Sequence, residues 1–169
     1  MLNDIKLLLK TLKLNKALLE VESFLKQFKS KEEFLLALLQ SESKKRLSQS
    51  CLRKITAAKF PFAREWAQID LKLNPKIPFP DLKKYSDGKF VEEKRNLCFI
   101  GEPGVGKTHS LIAIGRDLCR KGYTVYFYTA IQLTTLLEEA QERKELSSFM
   151  ERLKKAKLLI IDELGFVPF

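Results

Sequence analysis

The sequence predicts an α/β fold with a parallel sheet in its second half, preceded by a small helical domain. Three observations carry this reading. From Leu97 onward, short apolar runs alternate with stretches of helical periodicity, the signature of strands joined by helices. From Met1 to Lys59 the apolar residues recur at helical spacing alone. Between the two lies an irregular stretch broken by Pro75, Pro78, Pro80 and Gly88. The chain therefore divides into a helical domain over 1–59, a linker over 60–95, and a sheet-bearing core over 96–169 on which the linker docks.

In the first domain Leu2, Ile5, Leu8, Leu9 and Leu12 fall on one helical face, and Leu18, Val21, Leu25 and Phe28 on a second. Ser30 followed by Glu33 has the form of a capping box, so a third helix starts near Lys31. Its apolar face carries Leu35, Leu38, Leu39, Leu47, Cys51 and Ile55. Phe60-Pro61-Phe62 closes the domain, and Trp66, Ile69 and Leu71 are the expected anchors of the linker. A short helix is expected near Lys89 to Arg95. Leu97 to Ile100 then reads as a buried strand, Thr108 to Arg120 as a helix, and Gly122 as its stop. Thr124 to Thr129 is rich in strand formers. Residues 131–142 and 145–156 read as helices, and Leu158 to Asp162 as a second buried strand.

Composition narrows the class. The 45% hydrophobic content is that of a globular chain. The longest purely apolar run, Phe34 to Leu39, is too short to cross a bilayer, and no secretory leader is visible. Three cysteines, Cys51, Cys98 and Cys119, have no metal-ligand spacing, and Cys98 and Cys119 are expected to be buried thiols. This points to a reducing cytoplasm. The net charge of +10 is uneven: residues 1–100 hold 21 Lys/Arg against 12 Asp/Glu, and residues 101–169 hold 10 against 9. A basic front half suggests a polyanionic partner.

Residues 101–108 read Gly-Glu-Pro-Gly-Val-Gly-Lys-Thr, a complete phosphate-binding loop between a predicted strand and a predicted helix. Gly101, Gly104 and Gly106 let the backbone wrap an anion, with Glu102, Pro103 and Val105 completing the turn. Their N–H groups and the helix N-terminus supply partial positive charge. Lys107 supplies a full charge for the β- and γ-phosphates of ATP, and the Thr108 hydroxyl can ligate Mg2+. His109 adjoins this loop, where packing or capping suits it better than catalysis. In the second strand, Leu-Leu-Ile-Ile ends at Asp162-Glu163. Asp162 is placed to hold Mg2+ through its water shell, and Glu163 to act as general base on an attacking water.

Between Ser43 and Arg64 stand seven basic residues and no acid. Lys44, Lys45, Arg46, Arg53 and Lys54 are the candidate DNA contacts among them. They offer charge for phosphates but no base-reading pattern, so contact without sequence choice is expected.

With these motifs placed, the chain resembles the IstB family of insertion-sequence helper ATPases, relatives of the DnaC-type helicase loaders within the AAA+ class of P-loop NTPases. In the front half the resemblance rests on Glu32 to Leu39 and the basic helix after it. In the core it rests on Asn96 to His109 and on Leu159 to Pro168, whose Leu-Gly-aromatic-aliphatic-Pro continuation favours the IstB branch. The resemblance implies an ATP- and DNA-binding protein that forms homo-oligomers on DNA and helps a transposase engage its target. It also implies a longer chain. A further strand with a polar sensor residue, an arginine finger and later helices would come after Phe169. That strand would lie between the two motif strands, so a P-loop sheet ending here is expected to be incomplete, with Lys107 shifted relative to Asp162 if the gap closed. Two alternatives stand beside this reading: a DnaC-like loader acting with a replicative helicase, and a non-catalytic remnant that binds only nucleotide or DNA.

Overall fold

The computed structural model describes residues 1–68 and 78–166. Ile69, Leu71 and Pro75 of the linker, and Val167-Pro168 of the second motif's continuation, lie outside the described residues. The chain forms two compact units, Met1–Ser50 and Cys51–Phe169.

The first unit contains helices α1 (Leu2–Thr11), α2 (Asn15–Gln27) and the start of α3 (Lys31–Ala57). Asp4 in the first turn and Lys10 in the last complement the dipole of α1. Ser30 caps α3 through the Glu33 N–H at 3.4 Å. The reciprocal half of the expected box is absent: the Ser30 hydroxyl donates instead to the Glu32 carboxylate, at 2.5 Å. The core is small, consisting of Leu9, Ala17, Val21 and Leu38, flanked by Leu14, Leu18, Phe24 and Phe34. The expected apolar faces are thus only partly covered. Leu8, Leu12, Leu35, Leu39 and Leu47 are each more than half exposed. Three helices of this length meet along a narrow seam, and Leu9 of α1 and Leu38 of α3 are the leucines that fill it.

The second unit is organised around α6 (Lys107–Arg120), which buries Ile112, Ala113, Ile114, Leu118 and Cys119. It packs on two strands, β1 (Val125–Thr129) and β2 (Leu158–Asp162), joined by α7 (Ala130–Glu142) and α8 (Leu146–Lys154). The strands pair in parallel, Val125 opposite Leu158 through Thr129 opposite Asp162. Burial of Ile112 and Leu118, neither of them exposed, stabilises by about 1.5–3 kcal/mol each. Gly122, at φ +92°, takes the left-handed conformation that ends α6, and the Tyr123 N–H closes back on the Leu118 carbonyl at 3.0 Å. Thr129 starts α7 with a full capping box, its hydroxyl accepting from the Gln132 N–H at 3.2 Å and the Gln132 amide oxygen accepting from the Thr129 N–H at 3.1 Å.

The linker supplies α4 (Phe79–Lys84), α5 (Lys89–Glu92) and a 3-10 turn at Trp66–Gln68. The Trp66 indole donates to Asp117 at 2.9 Å and to Ser86 at 3.0 Å, and Glu65 accepts from Arg116 and Arg120. The stretch before α6 is therefore strapped along that helix. The Phe127 N–H of β1 donates to the Ala58 carbonyl at 3.0 Å, which occupies that edge of the sheet.

The expected first strand is corrected. Leu97–Ile100 forms no strand, and among the described residues the sheet has two strands only. Leu97 and Phe99 are half-buried, Cys98 is exposed and Ile100 is 91% exposed. A short apolar run becomes a strand only where another strand offers it a ladder, and none lies beside it here. For the same reason Cys98 is not the buried thiol expected of it, whereas Cys119 is.

Candidate functional site

The loop over 101–106 leads directly into α6. Gly104 and Gly106 both have positive φ, +78° and +97°, and Gly106 is the residue before the first helical turn. A Cβ built on Gly104 would meet nothing within 4 Å, so its side faces the open hollow of the loop. Gly101, Glu102, Pro103 and Gly104 are exposed, while Val105, Gly106, Lys107, Thr108 and His109 are half-buried. Any side chain at Gly104 or Gly106 would be strained at those φ values and would occupy the space where an anion could approach the backbone.

Lys107 turns its ammonium back on its own loop, donating to the Gly101 carbonyl at 2.6 Å and the Glu102 carbonyl at 2.8 Å. Its charge is thus held against two carbonyls of the loop itself. Thr108, one residue on, donates its hydroxyl to the Asp162 carboxylate at 2.6 Å. That single bond joins the two motifs across 54 residues of sequence. The helix carrying the loop meets the end of β2 through this bond.

Asp162 is half-buried and its second oxygen accepts from the Glu163 N–H at 3.0 Å. Glu163 is exposed and has φ +59°, an uncommon conformation for a residue with a side chain. The chain turns sharply there, straight off the strand, so the two acids leave Asp162 facing Thr108 and Glu163 facing solvent. Such turns concentrate at functional sites.

The donor set suits Mg2+. A hydroxyl and a carboxylate are hard oxygen ligands, and Mg2+ keeps most of its waters rather than requiring a full protein cage. Among the described residues no cluster of three or more His, Cys, Asp or Glu could cage a metal. Thr108 and Asp162 fit a partly hydrated ion and would not hold a structural zinc.

His109 is half-buried beside the loop. Its Nε2 is buried and has no hydrogen-bond partner among the described residues. Burial holds its pKa below the usual value, opposed by the Glu65 backbone and assisted by the Arg64 charge. Ser110, 1% exposed, also buries a hydroxyl without a partner among the described residues and carries no motif signal.

The five candidate DNA contacts fare differently. Lys44 and Arg53 are exposed and Lys45 is half-buried. Arg46 pairs with Glu42 at 2.9 Å and donates to the Lys13 carbonyl at 3.2 Å, and Lys54 donates to the Gly122 carbonyl. Arg46 and Lys54 thus already brace the protein. Sequence reasoning passes over Gly115, a glycine in the interior of α6, although an isolated helical glycine is itself a signal of close packing.

Comparison with known proteins identifies the family. The family model described as IstB-like ATP binding protein matches residues 7–169. The chain belongs to the IstB-like ATP-binding family. A Pseudomonas aeruginosa protein named for insertion sequence IS21 and ATP binding is 32% identical over 99% of this chain and 64% of its own length. One from Geobacillus stearothermophilus, named likewise for IS5376, is 32% identical over 82% of this chain and 55% of its own. A third, from Bacillus thuringiensis subsp. berliner and named for IS232, is 34% identical over 64% of this chain and 44% of its own. The chain thus spans 44–64% of the length of these relatives. No helix among the described residues is long and apolar enough to cross a membrane.

Proposed function

We propose that this IstB-like chain carries the nucleotide site of an insertion-sequence helper ATPase that acts with a transposase. The observation that supports it most directly is the Thr108–Asp162 hydrogen bond, which unites a phosphate loop and an acidic strand end in one site. In this reading the loop N–H groups and Lys107 bind the terminal phosphates of ATP. Thr108 and Asp162 hold Mg2+, which would neutralise phosphate charge when bound. Glu163, free in solvent, takes the proton of an attacking water. The insertion-sequence names of the relatives support the transposase as partner. DNA contact through Lys44, Lys45 and Arg53, homo-oligomer formation and a cytoplasmic location belong to the same proposal.

Equilibrium binding of a fluorescent ADP or ATP analogue tests it. Lys107→Ala should weaken binding tenfold or more, about 1.4 kcal/mol. A variant that binds as tightly as the parent chain would refute the site.

A further inference from the structure

The geometry points to Gly115 as a positioning residue for the metal-binding edge of the site, an inference that rests on the nucleotide reading above. Gly115 lies in the interior of α6, on the face that meets β2. An ideal Cβ there would stand 2.8 Å from Cδ1 of Ile160 and 2.9 Å from both Cε1 and Cζ of Phe60. Contacts below 3.0 Å are not sustained by real Cβ atoms, and the three atoms are the outer ends of the Ile160 and Phe60 side chains, so any residue larger than glycine must push those side chains aside.

The two groups have different freedom to move. Phe60 is half-buried and packs its ring 6.0 Å from that of Phe127. Ile160 is 5% exposed and sits in β2 directly opposite Phe127, two residues before Asp162. Burial leaves the Ile160 Cδ1 little room to rotate away, so part of the relief falls on β2, which carries Asp162, while Thr108 stays with the helix. Thr108 and Asp162 are 2.6 Å apart, and a hydrogen bond of this kind is lost with about one ångström of added separation. Gly115 is nearly two helical turns from Thr108 and touches neither phosphate loop nor acid. Its role is to set the helix-to-strand spacing on which their meeting depends.

This separates two functions of the site. The loop hollow and Lys107 belong to one continuous segment and bind phosphate whether or not β2 is in place. The Mg2+ edge needs both elements. A clash at Gly115 should thus remove the magnesium response of nucleotide binding and spare the magnesium-free component.

The test is titration of a fluorescent ADP analogue with the full chain, with Mg2+ and with EDTA, for the parent, Gly115→Ala, and Gly115→Ala combined with Ile160→Val and Phe60→Leu. Ile160→Val deletes the clashing Cδ1, and Phe60→Leu deletes the ring edge. We expect Gly115→Ala to lose at least tenfold of the Mg2+-dependent gain in affinity, its EDTA affinity to stay within twofold of the parent, and the triple variant to regain the gain. Should Gly115→Ala alone not fold, the comparison passes to Gly115→Ala/Ile160→Val against the triple variant, where the magnesium response must rise as the second contact is relieved. A full magnesium response in Gly115→Ala, an equal loss with and without Mg2+, or a flat response across the relieved variants would overturn the inference. A parent chain that binds nucleotide with no magnesium response would remove the site reading and this inference together.

Discussion

Glu42 offers a quantitative test of how the first unit is held together. It is a carboxylate 5% exposed, in a helix whose own backbone does not need it. It reaches across to the start of α2, where Leu14 provides no side-chain cap, and accepts from the Lys16 N–H at 2.8 Å and the Ala17 N–H at 3.3 Å. Its carboxylate, supplied by α3, does the work of the missing side-chain cap at Leu14. Glu42→Ala removes the cap, about 1 kcal/mol, and leaves the N–H of buried Ala17 unpaired, about 1 kcal/mol more at the low end of that cost. The Arg46 partner is 56% exposed, so its ion pair adds only about 0.5 kcal/mol. The sum is about 2.5 kcal/mol, or an exchange rate about 70-fold faster for the α2 amides. Glu42→Gln keeps one acceptor and loses the charge, and should cost about 1 kcal/mol. Burial alone would raise the Glu42 pKa, but Arg46 and the two backbone donors outweigh it and hold it below its ordinary value of 4.5. A depressed folded-state pKa means the contribution is fully present above the unfolded value. It fades as pH falls below about 4.5 and through the lower folded value. Hydrogen exchange of residues 16–21 between pH 6 and 3 reads both effects. Protection in Glu42→Ala within threefold of the parent, or no pH dependence beyond that of intrinsic exchange, would refute the capping argument.

Two other outcomes rest on the side-chain environments. If Lys44 and Arg53 contact DNA phosphates, replacing both with alanine should reduce the slope of log affinity against log salt by about 1.8, whereas Arg46→Ala should chiefly destabilise the first unit; a salt slope equal to the parent's would move the DNA surface elsewhere. The thiols should react with a maleimide in the order Cys98, Cys51, Cys119, as read by mass spectrometry of digests. Burial pushes the Cys119 thiol up to about 11, so at pH 8 about one molecule in a thousand is thiolate, and modification of Cys119 ahead of Cys98 would contradict the packing.

The parts of the fold legible in the sequence are those fixed by local chemistry. Gly122 ends α6, Thr124 to Thr129 and Leu158 to Asp162 carry strand formers, and the loop's Gly104 and Gly106 take the positive φ that the motif demands. What fails depends on neighbours. Leu97–Ile100 has the texture of a strand but no partner. The leucines of α1 and α3 announce helices by their spacing, yet spacing does not say that Leu9 and Leu38 meet the seam while Leu8 and Leu39 face water. Arg46 and Lys54 look like free charges until Glu42 and the Gly122 carbonyl are placed beside them.

The same distinction locates where the site is vulnerable. A phosphate loop is held from two directions, by the segment entering it and by the helix leaving it. Here the entering segment, Leu97–Ile100, makes no ladder with either strand, so it cannot fix the height of the loop relative to Asp162. The leaving helix can, because α6 is buried along Ile112, Ile114 and Leu118 and is strapped at its far end through Glu65, Trp66 and Asp117. The meeting of Thr108 with Asp162 is thus a consequence of helix-on-strand packing rather than of strand pairing. Close packing transmits displacement with little loss. A single added methyl at the α6–β2 contact consequently reaches the Thr108–Asp162 contact more directly than a larger change in the exposed run that leads into the loop.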